Sequence, residues 1–218
     1  MKRAFDFRAE ARRALSGNWG KAVAVGLVAT LLTGGVAVVN TGANSTNEGY
    51  LSLSGHESWI GLMTLASAIT LVALVIGGAV TMGWSKFNLK LVRNEPAKFG
   101  DLFSCFDRIG KGFCMSFLMG LFVFLWSLLL VIPGIVATYR YALTPYILAE
   151  HPEMGALEAI RESGRLMRGN KWRLFCLQLS FFGWALLSAF TMGIGTLWLT
   201  PYIQTATAAF YEDIVRPE

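Results

Sequence analysis

Arg140 is the residue of this chain best placed to do chemistry. The 18 other lysines and arginines fall in Lys2–Lys21, Lys86–Lys111 and Arg161–Arg173 or at Arg216, whereas Arg140 stands in an otherwise apolar run. An ionisable group at membrane depth is costly, and where one is kept it contacts a substrate, an ion or a lipid phosphate; the plainer alternative is an arginine that snorkels to the head groups. Tyr139 and Tyr141 flank it and suit an interfacial belt. Pro145 and Pro201 each remove a backbone donor and free a carbonyl one turn earlier, at Tyr141 and Leu197. Paired interruptions of this kind mark binding sites in some transporters, and in other proteins they merely kink helices so that they pack. Gln178 and Gln204 are polar at the same depth, placed to line a cavity or to hydrogen-bond between helices. The candidate intramembrane polar site is therefore Arg140, Tyr141, Tyr146, Gln178, Tyr202 and Gln204, a place for binding and not for bond making.

Nothing else in the chain points to a reaction. His56 and His151 are expected on opposite sides of the membrane and have no serine or cysteine partner at a useful spacing. Glu158, Arg161, Glu162 and Arg165 sit three or four apart, the pattern of a salt-bridged helix face. Cys105, Cys114 and Cys176 do not have zinc-ligand spacing, and no disulfide is expected. No G-x-x-x-x-G-K-[ST] loop is present, which excludes a P-loop motor within the chain. The expectation is a non-enzymatic protein with no catalytic residues, no metal and no cofactor.

The elements that must position these residues are membrane helices. Of the 218 residues 54% are apolar and 15% charged, against about 25% charged in soluble domains. The apolar residues come in runs: Ala22–Val39, Trp59–Met82, Phe113–Ile132 and Trp172–Met192. Each is near the ~20 residues that cross the hydrocarbon layer as a helix, the form forced by the absence of backbone partners in lipid. The net charge of +5 is organised around these runs. The long polar loop Asn40–Glu57 contains no lysine or arginine. The positive-inside rule then places the basic segments and both termini in the cytoplasm and Asn40–Glu57 outside. The basic segments are expected to meet anionic lipid head groups. They are not interleaved with aromatics for base stacking, so nucleic acid is not an expected partner.

Three units recur within what reads as a single membrane domain, 1–218, at about 1–95, 96–150 and 151–218. Each opens on a short segment with an apolar stripe: Phe7, Ala11, Ala14, Leu15; then Phe99, Leu102, Phe103, Phe106; then Leu157, Ile160, Gly164, Met167. These spacings predict amphipathic helices lying in the cytoplasmic interface. Glycines at the ends, Gly17, Gly110 and Gly169, supply caps. Apolar material for a hairpin follows each. The second and third hairpins break at Pro133-Gly134 and Gly193-Ile194-Gly195, and their returning arms share a tetrapeptide, Thr144-Pro145-Tyr146-Ile147 and Thr200-Pro201-Tyr202-Ile203. The fold expected is all-α and polytopic, with about six transmembrane helices arranged as three hairpins.

The run Ile132-Pro133-Gly134-Ile135, with Tyr146-Ile147-Leu148, Gly169-Asn170-Lys171-Trp172, Gly183-Trp184, Gly193-Ile194-Gly195, Pro201-Tyr202 and Phe210-Tyr211, resembles a bacterial integral membrane family known as a domain of unknown function (number nine hundred and seventy-five). The resemblance covers essentially the whole chain and is strongest from Trp126 to Tyr211. It implies a bacterial inner-membrane helical protein, distantly similar to the membrane module of some glycerophosphodiester phosphodiesterases but without their soluble catalytic barrel. It brings no agreed catalytic residues. The function expected is a membrane module that engages lipid, chiefly anionic, or a partner protein. The alternative is a small transporter, export or immunity factor for a lipid-like or peptide substrate; an intramembrane enzyme ranks third. A central polar cavity holding Arg140 and Gln204 would favour transport, and a dry, close-packed core the module.

Overall fold

The computed structural model describes residues 3–45, 75–129, 131–191 and 193–216. They are helical throughout, with no strand among them. In order they form α1 (Ala4–Leu15), α2 (Trp19–Ser45), α3 (75–92), two 3-10 turns (Phe99–Phe103 and Phe106–Arg108), α4 (Ile109–Leu129), α5 (Val131–Tyr141), α6 (Thr144–Glu150), α7 (Ala156–Leu166), α8 (Lys171–Leu179), α9 (Phe182–Phe190) and α10 (Thr196–Val215). Helix α2 runs through the first six residues of the expected loop Asn40–Glu57; the rest of that loop, with His56, and the first two-thirds of the run Trp59–Met82 lie outside the described residues.

Helix α1 forms where the sequence predicts it. The Asp6 carboxylate accepts the Arg3 backbone N–H at 2.7 Å, which satisfies a free donor and sets an acid at the positive end of the helix. It ends at Gly17, whose φ of +82° only glycine adopts without strain. Helix α7 is followed by the same device, Gly169 at φ +82°. Between α1 and the first part of α2 the chain bends by 103°.

The apolar stripes of α1 and α7 do not lie free at a lipid interface. Phe7, Ala11, Ala14 and Leu15 are all buried, and α1 packs on α10 and α8. Phe7 meets Phe210 edge-on at 5.5 Å. On α7, Ile160, Gly164 and Met167 are buried, with Leu157 left exposed, and the helix packs on α4, α5 and α6. A stripe of this width is satisfied equally well by protein or by lipid; here the partner is the chain's own helices. The second lead-in departs further. Phe99–Phe106 forms 3-10 turns instead of an α-helix, and Gly110 and Gly112 fall inside α4, not at a cap. The reason is contact with α3. A Cβ on Gly83 would clash with the Leu102 carbonyl, and one on Gly78 with the Gly112 backbone. The backbones touch there, as glycines allow, and the 99–112 segment is drawn flat against α3.

The α4–α5 and α9–α10 hairpins turn in the same way. Gly134 lies on Ser127 and Gly195 on Ser188, seven residues apart in both, with no room for a Cβ on either glycine. The shared tetrapeptide follows ten residues after Gly134 but only five after Gly195. Consequently Thr144–Ile147 opens α6 after a break at 142–143, with Pro145 in its first turn, whereas Pro201 sits inside the unbroken helix α10.

Ion pairs gather at one end of the molecule, where Phe5, Phe103, Leu157 and Trp172 are also exposed, while most of the exposed large apolar side chains lie on the hairpins. Exposed large apolar side chains crowd the distal parts of the hairpins: Leu27 and Leu31 on α2, Phe124 to Trp126 on α4, Ile135 and Val136 on α5, Trp184 to Leu187 on α9, and Trp198 on α10. The basic residues and their carboxylate partners gather at the opposite end with α1, α6, α7 and the C-terminal part of α10. One described stretch, Phe99–Leu128, is long and apolar enough to cross a membrane, with mean hydropathy 1.7, and only 11% of its apolar window is buried in the protein. Counting the bent pair Ala4–Leu15 and Trp19–Thr33 as one span gives two.

Candidate functional site

A cleft of about 390 Å³ opens between α1 and the α9–α10 hairpin. Three elements build it. Helix α9 contributes Trp184, Leu187, Ser188 and Thr191, spaced as one helical face. Helix α10 contributes Gly195, Trp198, Leu199 and Tyr202, again one face. The sharp turn at Gly17 brings in the third element: α1 supplies Arg8 and Arg12, one turn apart, and Trp19 follows at the start of α2. Two arginines line the cleft and no acid does.

Arg8 is fixed from both sides. Its carbonyl accepts the Tyr202 hydroxyl at 3.1 Å, and its guanidinium lies 5.4 Å from the Phe181 ring centre. Phe181 in turn stands edge-on to Tyr202 at 4.9 Å, and Trp19 lies 6.3 Å from Tyr202. The Arg8 Nε is buried and has no hydrogen-bond partner among the described residues. A buried N–H of a guanidinium without an acceptor is costly.

The residues singled out by sequence are dispersed. Tyr146 donates its hydroxyl to the Gln204 side chain at 2.9 Å. Gln178 instead accepts from the Tyr139 hydroxyl at 2.9 Å. Tyr202 belongs to the cleft. Arg140 is elsewhere again: its carbonyl accepts the Ser163 hydroxyl at 2.9 Å, and its exposed side chain runs over Gly164 of α7 with its guanidinium 5.9 Å from the Tyr141 ring. Among the described residues that guanidinium makes no hydrogen bond. Arg140 lies about 14 Å along α5 from Val131, at 1.5 Å per residue, which brings it beside Ser163 and Gly164 of α7 at the charged end. Arg8 and Arg12 were not singled out by sequence; their spacing of four was visible, but the cleft opposite them was not.

At the charged end the helix termini are clamped together. Arg93, just past α3, pairs with Glu150 at the end of α6 and with Glu212 on α10. The Tyr211 hydroxyl donates to Glu150 at 2.7 Å, and its ring stacks on Tyr146 at 5.8 Å. Arg173 pairs with Asp213 at 2.6 Å and lies over Phe7 and Phe210. Burial works against ionisation of Glu150, but the bonds from Tyr211 and Arg93 outweigh it and hold the carboxyl below its ordinary range. Burial likewise opposes the charge on Arg93, and its bonds to Glu150 and Glu212 raise its pKa nonetheless. Lys111 closes the α4 side by donating to the Pro152 carbonyl at 2.7 Å.

The fold and the cleft define an all-helical protein whose hairpins expose apolar surface and whose opposite end is a charged, close-packed base. Residues 1–136 and 128–218 match the model of a family described as a protein of unknown function (DUF975), and the chain belongs to that family. No curated protein and no solved structure matches the chain.

Proposed function

We propose that this protein is a non-enzymatic, multi-pass membrane module of the bacterial inner membrane that engages anionic lipid. The observation that carries the reading is the extent of exposed apolar surface, concentrated on the hairpins, with the ion pairs gathered at the other end. A soluble protein rarely exposes apolar patches of this extent, and a core helix would be buried, unlike the apolar window within Phe99–Leu128. In this reading six crossings are made, with broken arms counted as single spans: α2, α3, α4, α5 with α6, α8 with α9, and α10. The arms 131–149 and 171–190 are then each about 30 Å long, enough to cross the hydrocarbon. The basic end faces the cytoplasm by the positive-inside rule.

The interior favours a module over a transporter. Ala206, Ala208, Ala209, Phe210 and Tyr211 of α10 are sealed, and Gln204 is engaged by Tyr146. Arg140 lies instead against α7, with its carbonyl accepting from Ser163. The test is single-cysteine labelling in a background lacking Cys105, Cys114 and Cys176. Cysteines at Asp107 and Arg165, both exposed at the charged end, are expected to react only after permeabilisation, and one at Ser45 in intact cells. Reaction of Ser45 only after permeabilisation would overturn the topology.

A further inference from the structure

We propose that the cleft between α1 and the α9–α10 hairpin is a binding site for one anionic phospholipid, its phosphate held by Arg8 and Arg12 and its acyl chain laid along α9 and α10. This deepens, and rests on, the reading of the protein as a lipid-engaging membrane module.

Arg8 and Arg12, one turn apart on one face of α1, are the charged residues of a lining that is otherwise almost wholly apolar. Its walls are apolar, formed by Trp184, Leu187, Trp198 and Leu199. Arg8 and Arg12 are the two cationic residues of the lining, and guanidinium forks match phosphate oxygens in geometry and charge. Among the described residues no carboxylate lines the cleft to neutralise the pair. The volume of about 390 Å³ lies within the ~300–1,000 Å³ of small-ligand sites, room for a head group and the first part of a chain. The rest of that chain would run over Trp184 and Leu187, which are 54% and 57% exposed. A free phosphate would use the arginines and leave these walls bare; a zwitterionic lipid would bring its own cation to the two arginines. Both the arginines and the apolar walls are met by an anionic phospholipid.

The test uses the full-length protein reconstituted in phosphatidylcholine vesicles, with tryptophan fluorescence as the readout. Lipids brominated on the acyl chain quench an indole on contact, and the cleft holds Trp19, Trp184 and Trp198. Brominated phosphatidylglycerol is expected to reach half-quenching at a mole fraction ~10-fold lower than brominated phosphatidylcholine, the scale of a charge-assisted, two-point phosphate contact. Arg8→Gln with Arg12→Gln should abolish that preference. Arg12→Gln alone, at an exposed position that does not threaten folding, should reduce it. Arg161→Gln with Arg165→Gln, on α7 and outside the cleft, should leave it intact. Equal quenching by the two lipids, an unchanged preference in both arginine variants, or full competition by inorganic phosphate would each overturn the site. The first of these would leave the membrane reading standing, because both lipids still reach the tryptophans. Absence of quenching by either lipid would instead overturn the membrane reading, and this proposal with it.

Discussion

Glu150 ties three helices at once, through Arg93, Tyr211 and Arg216. Its folded pKa is depressed, so it contributes stability above the unfolded value of about 4.3 and loses it as pH falls through the folded value. Glu150→Gln should lower stability at neutral pH by about 1.5–3 kcal/mol, the range for hydrogen bonds to charged groups. It should also flatten the acid side of a plot of melting temperature against pH in detergent; an unchanged acid side would show that the clamp adds nothing. None of this was legible beforehand, because Arg93 and Glu150 are 57 residues apart and only folding brings them together. Arg140 was legible as an outlier, yet its surroundings were not. Its guanidinium has an aromatic face beside it and no fork-matching oxygen among the described residues, so Arg140→Lys should cost less than about 0.5 kcal/mol, as at ordinary surface positions. Thermal unfolding in detergent checks this; a large loss on Arg140→Lys would mean that the planar fork is engaged.

At the scale of elements, two glycines in helices give opposite expectations. A Cβ on Gly83 would strike the Leu102 carbonyl, which is backbone and cannot swing away. Gly83→Ala should therefore destabilise by about 3 kcal/mol, an overpacking cost at the high end of its range. A Cβ on Gly164 would meet the Arg140 Nε at 2.8 Å, the end of a flexible side chain that can move. Gly164→Ala should fall within about 1 kcal/mol of neutral, because alanine's helix propensity offsets the displacement. Parallel unfolding curves of the two variants decide it, and equal losses would defeat the argument. The sequence marked α1 and α7 correctly as amphipathic. It did not say what their stripes would touch, since period reports which side is apolar and not whether protein or lipid covers it. Phe7, 1% exposed, is covered by α10. Phe7→Ala should cost about 3–5 kcal/mol in the melting of the whole protein. Mere release of α1, with α10 still folded, would return it to the role of an interfacial anchor.

For the molecule as a whole, composition and run length settled that the described residues are helical, but not how many helices they form: α5–α6 and α8–α9 are broken where single arms were expected, and the second lead-in forms 3-10 turns. Those signals are local. A helix needs only its own backbone partners, and a hairpin turn only a few residues such as Ser127 and Gly134. The identical tetrapeptides show where local information ends. Thr144–Ile147 starts a helix and Thr200–Ile203 continues one, because five fewer residues separate the second from its turn and the arms pack at different heights. The cleft is likewise a product of distance in sequence: Tyr202 and the Arg8 carbonyl lie 194 residues apart. Lys and Arg counts fixed the existence of a basic end. Only tertiary packing decided that Arg140 belongs to it, that Arg93 and Arg173 are spent on carboxylates, and that Arg8 keeps a buried N–H without a partner among the described residues. Pairing of this kind depends on which helices touch, and helix contact is set by the fit of whole surfaces, which no short stretch of sequence encodes.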